Sequence, residues 1–313
     1  MNTFTTRASS INRALDQIGD KWCLLIIQEV FWGINSFNEM METLGVSRGV
    51  LADRLKWLQS MDCLEKRGAG PGTRQLYHLT EKSLDLYHCA LMAMAWERRF
   101  FRTPELDAVT LTHLRCARPF TPMMCCAHCD EPVRWRDVDY SPGPGATLDS
   151  REKKVRRRSS VPVENVPSRR SLYRNLVNIV GDRWTANLIA LAFHGLTRFD
   201  DFHRELPVAT NILTDRLKFL VEQDILEQVP YRQRPARFEY LLTEKGEGTF
   251  PYFVALLQWG DAWCDPGGAG KPMRLTHTPC GNELQPEVRC SECDGTLHAR
   301  EVVFRFARSE RSA

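Results

Sequence analysis

Two sets of soft metal ligands in this 313-residue chain share one spacing. His113-x2-Cys116-x9-Cys126-x2-Cys129 is repeated as His277-x2-Cys280-x9-Cys290-x2-Cys293, and Pro122 and Pro286 fall at the same place inside the spacers. Imidazole and thiolate suit Zn2+, and a ligand pair separated by two residues turns tightly enough to present both groups to one ion. Four such ligands fill a tetrahedron and leave no open coordination position, so the chemistry implied is structural, with no metal-bound water for catalysis. The expectation is that each tail closes its own Cys3His site as a zinc-ribbon-like hairpin. A segment such as residues 275–303 is too short to hold itself by apolar burial, and the metal would supply most of its folding energy. Cys125 and His128 lie outside the repeated spacing and are not assigned as ligands. Cys63, Cys89 and Cys264 read as ordinary core or surface thiols, and Cys23 as a partly buried one.

The elements that must position these ligands also come in two copies. Gly19-Asp-Lys-Trp22 returns as Gly181-Asp-Arg-Trp184, Leu51-Ala-Asp-Arg-Leu-Lys-Trp-Leu58 as Leu213-Thr-Asp-Arg-Leu-Lys-Phe-Leu220, and Tyr77-His-Leu-Thr-Glu-Lys82 as Tyr240-Leu-Leu-Thr-Glu-Lys245. Phe37 matches Phe199 and Trp96 matches Trp259. A self-match at a fixed offset over this length is a tandem duplication. Within each copy the expected order is four helices, two short strands and a long helix. Asp20 is placed to cap the helix from Trp22 to Trp32, Gly45 to stop the short helix that begins at Phe37, and Ser47 to cap the next. In that fourth helix Leu51, Leu55 and Leu58 recur at helical spacing and form one buried stripe. Residues 64–67 and 73–79, joined by the Gly-rich 68–72, read as a hairpin, and one long helix is expected from Thr80 to about Phe101.

A short helix, a tight turn, a second helix with small or basic residues on its open face and then a basic hairpin make a winged helix-turn-helix. The fold class is therefore mainly α with small β wings: two winged domains, each followed by a small zinc-ribbon-like hairpin. A helix fits the major groove and hairpin cations neutralise phosphates, so the candidate DNA contacts are Arg48, Gly49 and Lys56 with wing residues Arg67 and Arg74. In the second copy they are Thr210, Asn211 and Lys218 with Arg232, Arg234 and Arg237. Asn211 has the geometry for adenine, and Thr210 for a thymine methyl. Arg54 and Arg216 either join the reading face or are held by Asp53 and Asp215 as structural ion pairs.

The Gly-Asp-Lys/Arg-Trp motif, the phenylalanine of the short helix, Leu-x-x-Arg-Leu-Lys-x-Leu and Tyr-x-Leu-Thr-Glu-Lys together resemble the bacterial HxlR-type winged-helix transcriptional regulators, over roughly residues 10–101 and 172–265. The resemblance implies transcription regulation by dimers that join through terminal helices and read pseudo-palindromic DNA. With two copies in one chain it implies an intramolecular pseudo-dimer, and further homodimerisation stays open. Members that sense electrophiles carry a cysteine just ahead of the first helix. Here Ser9, Ser10, Ser168 and Ser171 occupy that neighbourhood, so no thiol sensor is implied there.

The domain division expected is a winged domain over 1–103, a ribbon-like segment over 104–140, a basic flexible linker over 141–170, a second winged domain over 171–266 and a second ribbon-like segment over 267–306. Residues 151–170 carry eight Lys/Arg against two Glu, more positive charge than the whole chain's net +3. A basic strip on an otherwise acidic body suits a polyanion such as double-stranded DNA, or is a solvated linker. No apolar run reaches the roughly 18–20 residues of a membrane span, and a cytoplasmic, non-membrane protein is expected. No Ser-His-Asp set, phosphate-binding glycine loop or HExxH motif points to an enzyme. The functions open at this point are a DNA-binding transcription regulator and a zinc-containing protein-interaction scaffold or effector-sensing module. A small-molecule effector would sit in a cavity between the copies, with Trp22, Trp96, Trp184 and Trp259 as either its lining or plain core.

Overall fold

The computed structural model describes residues 3–68, 75–102, 104–152, 172–234, 236–265 and 267–306. A strand β1 (Thr3–Arg7) precedes α1 (Ser10–Ile18), α2 (Lys21–Phe31), α3 (Phe37–Leu44), α4 (Arg48–Ser60), the hairpin of β2 (Leu64–Arg67) and β3 (Leu76–Leu79), the single turn α5 (Glu81–Leu84) and α6 (Tyr87–Phe101). The first tail follows as α7 (Pro104–Asp107), β4 (Val109–His113), β5 (Arg118–Pro119), β6 (Pro122–Cys126) and β7 (Val138–Pro142), and β8 (Leu148–Glu152) closes the first half. The second half repeats the plan with α8 (Arg174–Val180), α9 (Arg183–Phe193), α10 (Phe199–Glu205), α11 (Thr210–Glu222), the wing β9 (Leu226–Gln233) and β10 (Ala236–Leu242), α12 (Glu244–Glu247) and α13 (Phe250–Trp263). Its tail is β11 (Met273–His277), β12 (Asn282–Glu283), β13 (Pro286–Cys290) and β14 (Val302–Phe306).

The local rules hold where the chain has to turn. Ser47 accepts the Val50 N–H at the start of α4, and Gly45 ends α3 in the left-handed region at φ 60°. Leu51, Leu55 and Leu58 are buried as one stripe, so each copy closes around the inner face of its α4 or α11. The helix expected to run unbroken from Thr80 is instead two pieces. Thr80 Oγ1 donates to the Asp62 carbonyl at 2.6 Å and Ser83 Oγ to the Cys63 carbonyl at 2.6 Å. These bonds fasten the first turn to the base of the wing, and α6 departs separately at Tyr87. In the second copy Pro251 sits in the first turn of α13, where its missing N–H is tolerated but a continuous helix from α12 is not.

Arg54 and Arg216 are structural, with a different partner from the one expected. Arg54 reaches Asp20 with Nε at 2.9 Å and Nη2 at 3.0 Å, while Asp20 also accepts the Trp22 N–H at 3.1 Å as the cap of α2. Arg216 and Asp182 repeat this at 2.9 Å, with Asp182 accepting the Trp184 N–H at 2.8 Å. Asp53 and Asp215 point to solvent instead. One carboxylate thus starts the second helix of each copy and locks it to the fourth. This accounts for the repeated Gly-Asp-Lys/Arg-Trp.

The copies pack on each other through their terminal helices. Trp96 Nε1 on α6 donates to the Lys245 carbonyl at 2.9 Å, and Trp259 Nε1 on α13 donates to the Lys82 carbonyl at 2.7 Å. Each tryptophan therefore reaches the matching turn of the other copy. The first helices cross over too. Ser10 Oγ of α1 donates to Asp261 of α13 at 2.5 Å, and Glu97 of α6 accepts the Leu176 N–H at 2.8 Å and Asn175 Nδ2 at 2.9 Å at the start of α8. Tyr173 offers no side-chain cap to α8, so Glu97 serves as that cap from the opposite copy.

The tails depart most from expectation, because they do not fold as two self-contained ribbons. The last strand of each pairs with the first strand of the other, β7 with β11 and β14 with β4, and the central strands β6 and β13 pair antiparallel. The stretch from residue 141, expected to open a flexible linker, is ordered into the fold as far as it is described. Residues 141–152 are built in: β8 pairs with β1, and Arg13 holds Asp149 through two bonds of 3.0 and 2.8 Å. Gly143 and Gly145 serve close approach here, since a Cβ on either would come within 2.2 and 2.1 Å of the Lys271 and Gly270 carbonyls. The basic run from 153 onward and the wing tip 69–74 lie outside the described residues.

Two stability measurements follow from these contacts. Asp20→Ala removes both a helix cap and the partner of a side chain only 10% exposed, and should lower unfolding free energy by about 3 kcal/mol in denaturant titration. Asp182→Ala, whose Arg216 side chain is 36% exposed, should cost about 1–2 kcal/mol. Burial raises the Glu97 carboxyl above its ordinary 4.5 in spite of its two donors. Its ionised form therefore weighs against the fold at neutral pH, and that weight is relieved as pH falls through the raised value. Glu97→Gln should match or exceed the parent in stability at pH 8, and its advantage should shrink steadily on acidification toward pH 4.5.

Candidate metal centres and nucleic-acid interface

The eight expected ligands come together, but in exchanged pairs. His113 and Cys116 meet Cys290 and Cys293 of the other tail, and Cys126 and Cys129 meet His277 and Cys280. The strand exchange is the cause. Pairing β4 with β14 and β6 with β13 carries each first knuckle to the opposite second knuckle, and no tail brings its own four ligands together.

The local geometry of the four knuckles is the same. In each, the residue after the second ligand is left-handed: Ala117, Asp130, Gly281 and Asp294, at φ 56°, 62°, 71° and 55°. Its N–H returns to the carbonyl of the first ligand, at 2.8 Å for Ala117 to His113, 2.9 Å for Asp130 to Cys126, 2.8 Å for Gly281 to His277 and 3.0 Å for Asp294 to Cys290. A left-handed alanine or aspartate costs roughly 1–2 kcal/mol, so three of these turns hold strained backbone in order to aim two side chains at one point.

That point has the dimensions of a metal site. In the first centre His113 Nδ1 lies 3.3 Å from Cys293 Sγ and 3.7 Å from Cys116 Sγ, and the Cys116 and Cys290 sulfurs are 3.9 Å apart. In the second, His277 Nδ1 is 3.3 Å from Cys129 Sγ and 3.6 Å from Cys280 Sγ, with 4.0 Å between the Cys126 and Cys280 sulfurs. Bond lengths of about 2.3 Å to sulfur and 2.0 Å to nitrogen in a tetrahedron give edges of about 3.8 and 3.5 Å, in line with these spacings. Disulfides are excluded, since the sulfurs lie far beyond bonding distance. Both histidine rings are fully buried, with Nδ1 on the side of the sulfurs. Backbone donors favour the thiolate in part of each set. The Asn282 N–H, with His277 beside it, pulls Cys280 down to about 6, and the Gly295 N–H lowers Cys293, while burial pushes Cys290 up to about 11.

The remaining thiols are elsewhere. Cys125 is buried outside both sets, in contact with the network in which Arg289 binds Asp130 at 2.6 Å and Glu287 at 3.0 Å. His128 is exposed. Cys63, Cys89 and Cys264 are buried core thiols raised by that burial to about 11, 12 and 12. Cys23 is also buried.

The candidate DNA contacts lie on two exposed faces. Arg48, Gly49 and Lys56 all face out from α4; a Cβ on Gly49 would meet nothing within 4 Å, and the Arg48 guanidinium lies 5.4 Å from the Phe37 ring. Arg67 is exposed on β2 and ion-paired with Glu65. Arg74 lies outside the described residues. On α11 Thr210 and Asn211 are exposed in the first turn, and Lys218 lies 3.7 Å from Glu222. The second wing is the longer: Arg232 donates to the Arg234 carbonyl at 3.2 Å, and Arg237 lies 3.7 Å from Asp200. A bulge between Arg237 and Phe238 twists it near its tip. Of the two roles open to the four tryptophans, cavity lining or core, the structure places three in the core. Trp96 and Trp259 make the cross-copy bonds, Trp22 is core, and Trp184 is half-buried beneath the Arg183 guanidinium at 4.7 Å. Among the described residues, no helix is long and apolar enough to cross a membrane.

A family model of the HxlR-like helix-turn-helix matches the chain twice, over residues 17–105 and 179–267. The chain is 39% identical over 127 residues to the uncharacterized HTH-type transcriptional regulator Rv3095 of Mycobacterium tuberculosis, a match that spans 41% of this chain and 80% of that protein. It is 31% identical over 91 residues to the HTH-type transcriptional regulator YodB of Bacillus subtilis, spanning 29% of this chain and 81% of YodB. The solved reduced form of YodB aligns at 29% identity and a TM-score of 0.28, covering 30% of this chain and 94% of that one.

Proposed function

Because the chain belongs to the HxlR-like helix-turn-helix family, we propose that it is a DNA-binding transcription regulator whose two fused winged helices act as a covalent pseudo-dimer on duplex DNA. The observation that carries this reading is the pair of exposed α4 and α11 faces, each set by an Asp–Arg lock and flanked by a wing with cationic side chains. The faces differ. Arg48 and Gly49 stand where the second copy has Thr210 and Asn211, so the two halves would read different base edges and the preferred site would be asymmetric. Lys56, Lys218 and the wing residues Arg67, Arg74, Arg232, Arg234 and Arg237 are assigned to phosphates, which position the protein without specifying sequence.

The two Cys3His sets are assigned to structural Zn2+. Each set takes two ligands from either copy, so an ion in either centre would tie the halves together at the base of α6 and α13. All four positions of a tetrahedron are then protein groups, and no catalytic role is assigned.

A second reading, a protein-interaction scaffold that has lost DNA, is favoured by Asp53 and Asp215, which are exposed on the same two helices. Its partner would bind these faces independently of salt-sensitive phosphate contacts.

Fluorescence anisotropy against genomic DNA fragments at two salt concentrations separates the readings. Arg232→Ala with Arg234→Ala should weaken binding to all sequences alike and reduce the salt slope by about one for each phosphate no longer neutralised, while Asn211→Ala should relax preference at one base pair by roughly 1–3 kcal/mol. Unchanged affinity and slope in the double variant would remove the wing assignment, and no DNA affinity at low salt would select the scaffold. For the metal, native mass spectrometry should find two zinc ions per chain. Cys116→Ser with Cys293→Ser should lose one, and Cys116→Ser with Cys126→Ser should lose both, whereas tails that each closed their own site would lose only one in the latter pair.

A further inference from the structure

The two tails rest on their helical cores in matched ways, with one telling substitution between them. Trp135 and Ala299 each open a short helical turn ahead of β7 and β14. Two residues earlier the chain is held to a central strand in both tails, the Val133 N–H by the Met124 carbonyl at 2.9 Å and the Leu297 N–H by the Val288 carbonyl at 2.8 Å. The next residue is in each case an arginine paired with the turn that follows a wing, Arg136 with Glu247 of α12 at 2.5 Å and Arg300 with Glu81 of α5 at 3.3 Å. Flanked alike, residues 135 and 299 lie over the same part of their respective cores.

What they do there differs. The Trp135 ring packs against Phe193 at 6.0 Å, its Nε1 donates to the Phe193 carbonyl at 2.8 Å, and the Arg136 guanidinium lies 5.4 Å from the ring. In the first half Phe31 stands for Phe193, but the indole is replaced by the methyl group of Ala299. Ala299, Arg300, Phe31, Trp32 and Tyr77 line an open groove of about 620 Å³ there. The backbone that presents the carbonyl is the same in both copies. After Phe31 and Phe193 the helix ends on left-handed Gly33 and Gly195, at φ 82° and 80°, whose N–H groups return to the Val30 and Ala192 carbonyls at 3.0 and 2.9 Å. Among the described residues, no group donates a hydrogen bond to the Phe31 carbonyl.

We propose that this groove binds a small planar aromatic molecule of the indole class, one per chain, in the place that Trp135 fills in the other half. The ring would lie on Phe31 with the Arg300 guanidinium over its face, and its N–H would donate to the Phe31 carbonyl. The groove has the size of a small-ligand site, roughly 300–1,000 Å³. A cation over the face and one main-chain acceptor favour an electron-rich ring with a single N–H over a plain hydrocarbon. This binding does not depend on the DNA reading.

Indole is the probe, with 1-methylindole as the matched ring that lacks the donor, and ligand-observed NMR or calorimetry on the full chain without DNA reads the outcome. Saturable binding of one indole per chain is expected, about tenfold tighter than 1-methylindole. Ala299→Trp supplies the ring from within the chain and should abolish binding of both probes. Thermal melts confirm that it is folded, and if it is not, Arg300→Ala should still weaken indole about threefold. N-acetyltryptophanamide separates a free ligand from a tryptophan side chain lent by a partner protein, and it should bind less tightly than indole. No saturable binding of indole, equal binding of indole and 1-methylindole, undiminished indole affinity in either folded variant, or tighter binding of N-acetyltryptophanamide would overturn the assignment.

Discussion

Everything distal to the two helical cores depends on one exchange: the final strand of each tail is completed by the first strand of the other. Each Cys3His set draws two residues from either tail. Here each set is half built by residues about 160 positions away in the chain, so neither tail completes its fold without the other. In three of the four knuckles the left-handed residue is not glycine, so backbone strain is held there to aim the ligand side chains.

Inside each half the decisive contact is smaller. Asp20 and Asp182 each satisfy the free N–H groups at the start of one helix and hold the guanidinium of another. The helix so held is the one that carries the exposed candidate DNA contacts. Its Arg is turned inward to the aspartate, and Arg48 and Lys56, or Asn211 and Lys218, are left facing out. Because one carboxylate serves both the cap and the ion pair, the start of the second helix is tied directly to the fourth. The second lock is wetter than the first, which gives the two halves different rigidity from the same motif.

Much of this is legible in the residues. Caps at Asp20 and Ser47, the stop at Gly45 and the leucine stripe of α4 are short-range effects, and they appear where hydrogen bonding and helical periodicity put them. The ligands are legible by type and spacing. What spacing cannot carry is the identity of the partner, because His113-x2-Cys116 is the same half-site whichever Cys-x2-Cys completes it. The partner of Arg54 is hidden for a related reason: Asp53 is adjacent in sequence, but adjacent helical residues point apart, and Asp20 lies across the core. The stretch Ser141-Pro-Gly-Pro-Gly145 reads as a tether by composition. Its glycines are required instead by backbone from the second tail passing within a Cβ's reach, an approach that no local pattern announces. The break between α5 and α6 depends likewise on two hydroxyls reaching back to the wing.

The divergence of the two halves is where the molecule departs from a simple pair. At matched places on their last helices stand Glu97 and Gly260. Against Gly260 the backbone of Ser10 comes so close that an added Cβ would sit 2.3 Å from its carbonyl oxygen, so α1 packs directly on α13. Against Glu97 a buried carboxylate stands between the helices and caps α8 instead. One junction is therefore backbone on backbone and the other is spaced by a side chain. The spaced junction is also the one lined by Ala90, Ala93 and Gln28, where the tight side has Phe253, Leu256 and Ala190. Glu97 and Gly260 thus mark two different ways of joining matching helices. Because both copies sit in one chain, the two junctions can carry different residues at matched places, which two identical chains could not.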